Sequence, residues 1–137
     1  LGRAREAKDT FDAASQVDPA NARIWLSLGK AAMAMGDSRR ADLALRKALA
    51  LDGDSAEAQL MLGYVRLRQN KNGEALAAFK KASALDASDP VSLTMVGYVY
   101  EKMGDKARAM GYYGKALKLQ PNDELASKLM AGVDFTD

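Results

Sequence analysis

Apolar residues recur at steps of three and four along most of the chain, which is the spacing that places them on one face of a helix. Over residues 21–35 the pattern includes Ile24 and Leu28, and the next residue, Gly36, is of the type that commonly ends a helix. A second stretch with the same spacing covers residues 37–51. The pattern therefore predicts two consecutive amphipathic helices joined by a tight turn.

This two-helix pattern returns every 34 residues. Four sets of positions keep the interval: Gly29, Gly63 and Gly97; Ala41, Ala75 and Ala109; Leu45, Phe79 and Tyr113; and Ala48, Ala82 and Ala116. A fixed period of this length indicates that one two-helix unit has been copied and that each copy buries its apolar face against its neighbours. In this interpretation the glycines face the first set of alanines across each hairpin, and Phe79 and Tyr113 fill the space between successive pairs.

The interval makes the whole chain, residues 1–137, a single array. The predicted segments are the second helix of a truncated repeat at 1–21, full repeats at 22–55, 56–89 and 90–123, a C-terminal helix at 124–132 and a tail at 133–137. The predicted N-caps include Asp37, Ser55 and Asp89, and the predicted helix ends are Gly2, Gly36, Asn70 and Gly104. Because the chain opens within a repeat, we expect it to be a piece of a longer protein.

The composition argues against several classes of function. The chain has no His and no Cys, which removes the commonest general base and the commonest metal ligands, so we expect no catalysis, no metal and no cofactor. A net charge of +2 does not predict nucleic acid as the main partner. No segment approaches the roughly 18 apolar residues that cross a bilayer. The chain reads as soluble, and its location, cytoplasmic or periplasmic, stays open.

The repeated positions resemble the tetratricopeptide repeat family. The family pattern has Trp, Leu, Gly and Tyr in the first helix, then Ala, an aromatic residue and Ala in the second, and a closing Pro. The matching residues are Trp25, Leu28, Gly29, Ala41, Leu45 and Ala48; Leu62, Gly63, Ala75, Phe79 and Ala82; Gly97, Tyr100, Ala109, Tyr113, Ala116 and Pro121; and, in the half repeat, Ala7, Phe11, Ala14 and Pro19. The chain departs from the pattern at Ala32 and Arg66, which stand where Tyr is usual.

The resemblance implies an all-α fold, an α-solenoid that winds as a right-handed superhelix of three full repeats with a half repeat before them and a terminal helix after them. In this family the first helices line a concave groove, and the second helices form the outer face. The usual function is protein binding in the groove, without catalysis. Bacterial members often serve in secretion, pilus or envelope assembly, and the Ala-rich, Cys-free composition fits a bacterial assembly protein.

The same resemblance marks twelve positions as groove-lining. They are Arg23, Leu26, Lys30, Met33, Glu57, Leu60, Tyr64, Leu67, Val91, Thr94, Tyr98 and Glu101. Lys30, Tyr64 and Tyr98 recur in phase and are predicted to form a ladder along the groove. Tyr rings suit reversible recognition, because they offer a large apolar area with few rotatable bonds. The alternative is that these rings only cover the joints between adjacent first helices.

One comparison within the family argues against one class of partner, the acidic tails of chaperones. Chaperone-binding members hold a C-terminal carboxylate with Lys, Asn and Arg, whereas the equivalent residues here are Leu26, Lys30, Met61, Val91 and Met95. A single Lys does not replace a clamp with several donors, so we predict no binding of acidic chaperone tails. A protein or peptide partner with an amphipathic helix or an apolar extended segment is favoured.

Self-assembly is the alternative function. The first helix lacks its predicted partner, which leaves Ala7 and Phe11 available for association with another copy, so a homo-oligomer formed through the repeat ends is a second hypothesis. A basic row on the second helices, Lys47, Lys81 and Lys115, is interpreted as a solvated face because we expect no exposed aromatic residue beside it.

Overall fold

The computed structural model describes residues 2–134, and this part of the chain consists of helices and turns without a β-strand. The helices are α1 (Gly2–Val17), α2 (Ala22–Ala34), α3 (Ser38–Leu51), α4 (Ala56–Arg68), α5 (Asn72–Leu85), α6 (Pro90–Lys102), α7 (Lys106–Leu119) and α8 (Glu124–Gly132). The all-α prediction is confirmed. The tail at 133–137 lies outside the described residues from position 135 onward.

Each helix packs mainly against the helices before and after it in sequence. The pairs α2 with α3, α4 with α5 and α6 with α7 form antiparallel hairpins, while α1 packs on α2 and α8 packs on α7. We call α2, α4, α6 and α8 the inner helices, and α1, α3, α5 and α7 the outer helices. Within the described residues, one cluster of buried side chains is formed by α2, α3 and α4 and another by α5, α6 and α7, so the core is divided along the array.

The helix ends follow the 34-residue interval closely. Every inner helix begins after a side chain that accepts a hydrogen bond from a free backbone amide, and these N-caps are Asn21, Ser55, Asp89 and Asp123. Gly36, Asn70 and Gly104 have positive φ angles of 78°, 59° and 87°, as predicted for helix ends. Gly2 differs from the prediction, because it begins helix α1 instead of ending one.

The outer helices differ in their caps, and this difference predicts a stabilising substitution. Asp37 and Asp105 cap α3 and α7, whereas Lys71 stands at the same position before α5 and makes no side-chain cap. We expect Lys71→Asp to raise the free energy of unfolding by about 1 kcal/mol, measured by urea denaturation. Lys71→Ala is the control, since it removes the same exposed ion pair with Glu74 without adding a cap. Equal stability of the two variants would contradict the prediction.

Each mid-helix glycine of the inner helices makes room for a large side chain of its own hairpin. A Cβ placed on Gly63 would lie 2.6 Å from Cδ1 of Phe79, and one on Gly97 would lie 2.7 Å from Cε1 of Tyr113. As predicted, Gly29 and Gly97 also face the alanine set, since an added Cβ would lie 3.6 Å from the carbonyl oxygen of Ala41 and 3.1 Å from that of Ala109, but the large side chains lie closer. Phe79 and Tyr113 lie directly over the glycines and are fully buried within their hairpins.

A largely buried ionic contact joins the first and second hairpins, α2–α3 and α4–α5. Asp42 on α3 is 7% exposed, and its carboxylate accepts hydrogen bonds from Arg66 on α4 at 2.6 Å and from Arg46 at 2.8 Å. Arg66 is the residue that departs from the family's Tyr. One interval later Leu76 and Tyr100 stand at the positions of Asp42 and Arg66, so the next joint is apolar.

Candidate protein-binding groove

The predicted groove residues lie on α2, α4 and α6, and the structure exposes most of them. Arg23, Lys30 and Glu57 are exposed, and the partly buried set is Leu26, Met33, Leu60, Tyr64, Leu67, Val91, Tyr98 and Glu101. These partly buried apolar side chains rest on the two core clusters and keep an outer surface. The structure thus provides a surface of mixed apolar and charged character along the inner helices.

Thr94 is an exception, because it is completely buried. Its hydroxyl donates a hydrogen bond to the carbonyl oxygen of Pro90 at 2.9 Å, within the same helix. A short side chain that is covered and satisfied in this way does not reach the groove surface. The prediction that Thr94 lines the groove is wrong.

The α2–α4 half of the groove carries an internal ion pair. Lys30 donates a hydrogen bond to Oε1 of Glu57 at 2.7 Å, and both side chains are about half exposed, at 50% and 53%. An exposed pair of this kind contributes only about 0–1 kcal/mol, so a ligand charge can displace it at small cost. Lys30 therefore differs from the tyrosines of the predicted ladder, because its charge is already matched by a neighbouring repeat.

Tyr64 packs edge-on against Phe79, with ring centroids 5.4 Å apart and an angle of 73° between the rings. Burial raises the pKa of Tyr64, and the negative charge of Asp89 raises it further. The ring thus covers the joint between α4 and α5 while part of it stays exposed. Because the phenol remains neutral, Tyr64 can offer a hydrogen-bond donor to a ligand.

A small apolar pocket opens where α6 meets α8. Met95, Tyr98, Leu125 and Leu129 line this pocket, whose volume is about 190 Å³. Leu125 is 47% exposed, which is high for a large apolar side chain. We call this site the α6–α8 pocket. Only Tyr98 of its four residues was among the predicted groove positions.

The sequence held a signal for the missing residues. Leu125 stands one 34-residue interval after Val91, and Leu129 stands one interval after Met95. Extending the register of the inner helices into the C-terminal helix would have placed Leu125 at a groove-lining position. The predicted groove ends at α6, whereas α8 continues the row of inner helices.

Glu101 is partly occupied by a contact inside its own hairpin. The hydroxyl of Tyr113 donates a hydrogen bond to Oε1 of Glu101 at 2.8 Å. Burial, together with this bond to the carboxylate, raises the pKa of Tyr113 well above its usual range. Glu101 therefore ties α7 to α6 with one oxygen, and its ability to bind a ligand is reduced.

Two lysines of the basic row, Lys47 and Lys115, have aromatic neighbours, and both rings are partly buried, so they do not contradict the expectation that no exposed aromatic residue stands beside the row. Lys47 lies over Trp25 at 6.0 Å from the ring centroid, and Lys115 lies over Tyr112 at 4.6 Å. Such contacts at exposed sites contribute roughly 0.5–1 kcal/mol each. These lysines therefore cover aromatic rings on the outer surface and also contact solvent.

The predicted self-association residues lie on α1, and both are partly buried. Phe11 stands in the register of Leu45, Phe79 and Tyr113, which are all fully buried. Phe11 on α1 is therefore less covered than its equivalents on α3, α5 and α7.

Comparison with known proteins identifies this architecture. The family described as the Cilia and flagella-associated protein 70 C-terminal domain, a tetratricopeptide repeat family, matches residues 1–136. The chain belongs to this family. None of the curated proteins matches the chain. The predicted family and the predicted α-solenoid are confirmed.

Solved tetratricopeptide repeat proteins have the same fold. MamA superposes with a TM-score of 0.88 at 29% identity, over 94% of this chain and 75% of that one. PilF of Pseudomonas aeruginosa superposes with a TM-score of 0.86 at 27% identity, over 95% and 60%. YrrB, described as a TPR protein with an unusual peptide-binding site, gives 0.87 at 23% identity, over 95% and 67%.

Tetratricopeptide repeat arrays are typically non-catalytic scaffolds for protein interactions, and the fold suggests protein partners for this chain. Within residues 2–134, no helix combines the length and the apolar character that crossing a bilayer requires.

Proposed function

We propose that this tetratricopeptide array binds a partner polypeptide along its inner helices, with an apolar side chain of the partner anchored in the α6–α8 pocket. The partner segment is an amphipathic helix or an apolar extended stretch. The observation that supports this proposal most strongly is the pocket itself, because it presents exposed apolar surface beside a Tyr ring on the face expected to be concave.

The pocket has the size and chemistry for one aliphatic or aromatic side chain. Burying such a side chain contributes about 1.5–3 kcal/mol, which is enough to act as an anchor. Tyr98 forms one wall, and Lys102 lies over its ring at 5.8 Å from the centroid, so a positive charge stands beside the apolar wall. A partner that presents an apolar residue next to an acidic one would use both features.

The α2–α4 half then serves to orient the partner. The Lys30–Glu57 pair is exposed, and an acidic or basic residue of the partner can replace either member. Tyr64 lies on α4, between this polar half and the α6 side, where its apolar ring and neutral hydroxyl suit the middle of a bound segment.

We expect the double substitution Tyr64→Ala and Tyr98→Ala to weaken partner binding at least tenfold, because two aromatic surfaces are removed from the groove. The partner is first isolated by pull-down with the unaltered chain, and the dissociation constant is then measured by isothermal titration calorimetry. Tyr112→Ala on an outer helix is the matched control and is expected to leave the constant unchanged. An unchanged dissociation constant for the double variant would refute groove binding.

Self-assembly through the repeat ends is the second candidate, and the incomplete cover of Phe11 favours it. In that case the double Tyr variant would keep its partner, while Phe11→Asp would convert an oligomer into a monomer. Light scattering at high protein concentration decides between these outcomes. A monomer that does not respond to Phe11→Asp would exclude the second candidate.

A further inference from the structure

The two long edges of the array carry opposite charge. Because neighbouring helices are antiparallel, the turns that lead from an outer to an inner helix lie along one edge, and the turns inside the hairpins lie along the other. We call them the acidic edge and the basic edge. Each edge comprises its connections between helices, together with the last helical turn before each connection and the first helical turn after it.

The acidic edge holds eight acidic residues and two basic ones, a net charge of −6, and Asp18, Asp54, Asp86 and Glu124 are among its exposed members. The basic edge holds eight basic residues and four acidic ones, a net charge of +4, and Arg39, Lys71, Lys102 and Arg108 are among its exposed members. A chain with a net charge of only +2 therefore presents two strongly charged edges.

Helix capping accounts for only part of this separation. The N-caps Asp89 and Asp123 explain two of the acids, but Asp52 and Asp86 stand at the C-terminal ends of α3 and α5, where the helix dipole disfavours negative charge. The basic edge shows the converse, because Arg39 lies in the first turn of α3. At Arg39, Asp52 and Asp86 the charges thus oppose the dipoles of α3 and α5.

Glu57 and Glu124 of the acidic edge have ion-pair partners in Lys30 and Lys128, but three exposed aspartates do not within the part of the chain that the structure describes. Among the described residues, no cation lies within ion-pair distance of Asp52, Asp54 or Asp86, and the carboxylate of Asp86 accepts hydrogen bonds only from the amide and hydroxyl of Ser88. These three carboxylates are therefore available to external positive charge.

We propose that the acidic edge of one copy docks against the basic edge of a second copy, so that arrays of this chain associate side by side. Charge complementarity identifies the occupant as a second copy, because the acidic edge has the same period as the basic edge of the same chain. Both rows repeat once per hairpin of the same array, so charges match turn after turn when two copies lie in parallel.

The contact joins two different surfaces, so it does not close into a dimer and leaves a free edge on each outermost copy. We therefore expect the mean mass to rise steadily with protein concentration. The attraction acts between exposed groups and is screened within about 10 Å at 0.1 M salt, so association is strong at low salt and is lost at high salt.

Sedimentation velocity at 20 mM and at 300 mM NaCl tests the proposal. We expect the chain to show a mean mass at least twice that of the monomer at 20 mM NaCl and to be monomeric at 300 mM. Arg39→Glu, Lys71→Glu and Lys102→Glu together should make it monomeric at both salts. Asp54→Lys, Asp86→Lys and Glu124→Lys together should do the same.

Mixing the two triple variants gives the sharpest result, because one keeps the acidic edge at −6 and the other keeps the basic edge at +4, while neither keeps both. The mixture is expected to associate at 20 mM NaCl although neither variant associates alone. The control Lys47→Glu, Lys81→Glu and Lys115→Glu, on the outer face and outside both edges, has the same net charge as the basic-edge variant, since each lowers the charge by six, from +2 to −4. It should still associate.

Three results would overturn the proposal: a monomer at 20 mM NaCl, equal loss of association in the outer-face control, or loss of association with Phe11→Asp, which would assign the contact to the repeat end. Circular dichroism of each variant, with a helical spectrum equal to that of the unaltered chain, ensures that loss of association is not loss of fold.

Discussion

Replacing Gly63 with Leu is expected to lower the free energy of unfolding by roughly 3–5 kcal/mol, because the ring of Phe79 must leave its buried site. The ring lies so close to Gly63 that even a Cβ atom would stand 2.6 Å from Cδ1. Phe79 is fully buried and belongs to the cluster that joins α5 with α6 and α7, so its displacement affects two hairpins. Urea denaturation followed by circular dichroism measures the change.

Gly111→Leu is the matched control for this substitution. Gly111 is an exposed glycine inside α7, and a Cβ there would meet no atom within 4 Å. The same chemical change should therefore raise stability by up to about 1 kcal/mol, since Leu forms helix better than Gly does. If Gly63→Leu unfolded at the same urea concentration as the unaltered chain, the array would not require a glycine beside the ring of Phe79.

Arg66→Met is expected to lower the free energy of unfolding by about 3 kcal/mol. The substitution keeps the aliphatic stem of the side chain and removes the guanidinium group that lies 2.6 Å from Asp42. Asp42 is 7% exposed and would keep only Arg46, whose side chain is 58% exposed. Removing one partner of a buried pair destabilises strongly, because the remaining charge stays in a poorly solvated place. Urea denaturation measures this effect too.

The neighbouring joint suggests how stability can be recovered. Asp42→Leu combined with Arg66→Tyr would reproduce Leu76 and Tyr100, the residues at the same positions one interval later. Because apolar residues of similar size often replace a buried ion pair without loss, we expect the double variant to lie within about 1 kcal/mol of the unaltered chain. A double variant as unstable as Arg66→Met would show that the two joints differ in more than these residues.

The twelve predicted groove positions came from the family resemblance, and the structure reports their exposure. Eleven of the twelve predicted positions keep exposed surface, and the register of the inner helices points to Leu125, which the sequence interpretation left out. The failure at Thr94 has a different cause, since periodicity places a residue on a face without saying how tightly its neighbours cover it. That Tyr64 and Tyr98 bind a partner stays a prediction, which the double Tyr variant tests.

The sequence by itself determined the two-helix unit, its 34-residue interval and the positions of its turns. These features depend on contacts between residues at most a few positions apart, such as the cap of Ser55 on the amide of Ala58 and the left-handed backbone of Gly36. Local hydrogen bonds and backbone preferences are written into short stretches of sequence. They repeat wherever the stretch repeats.

Only the tertiary structure decided which side chains meet between hairpins. Lys30 and Glu57 are 27 residues apart, and Arg66 and Asp42 are 24 residues apart. The α6–α8 pocket likewise needs two inner helices to lie side by side. Such contacts depend on how one hairpin packs on the next. Many buried side chains fitting together set this geometry, and the spacing of a few residues in the sequence does not reveal it.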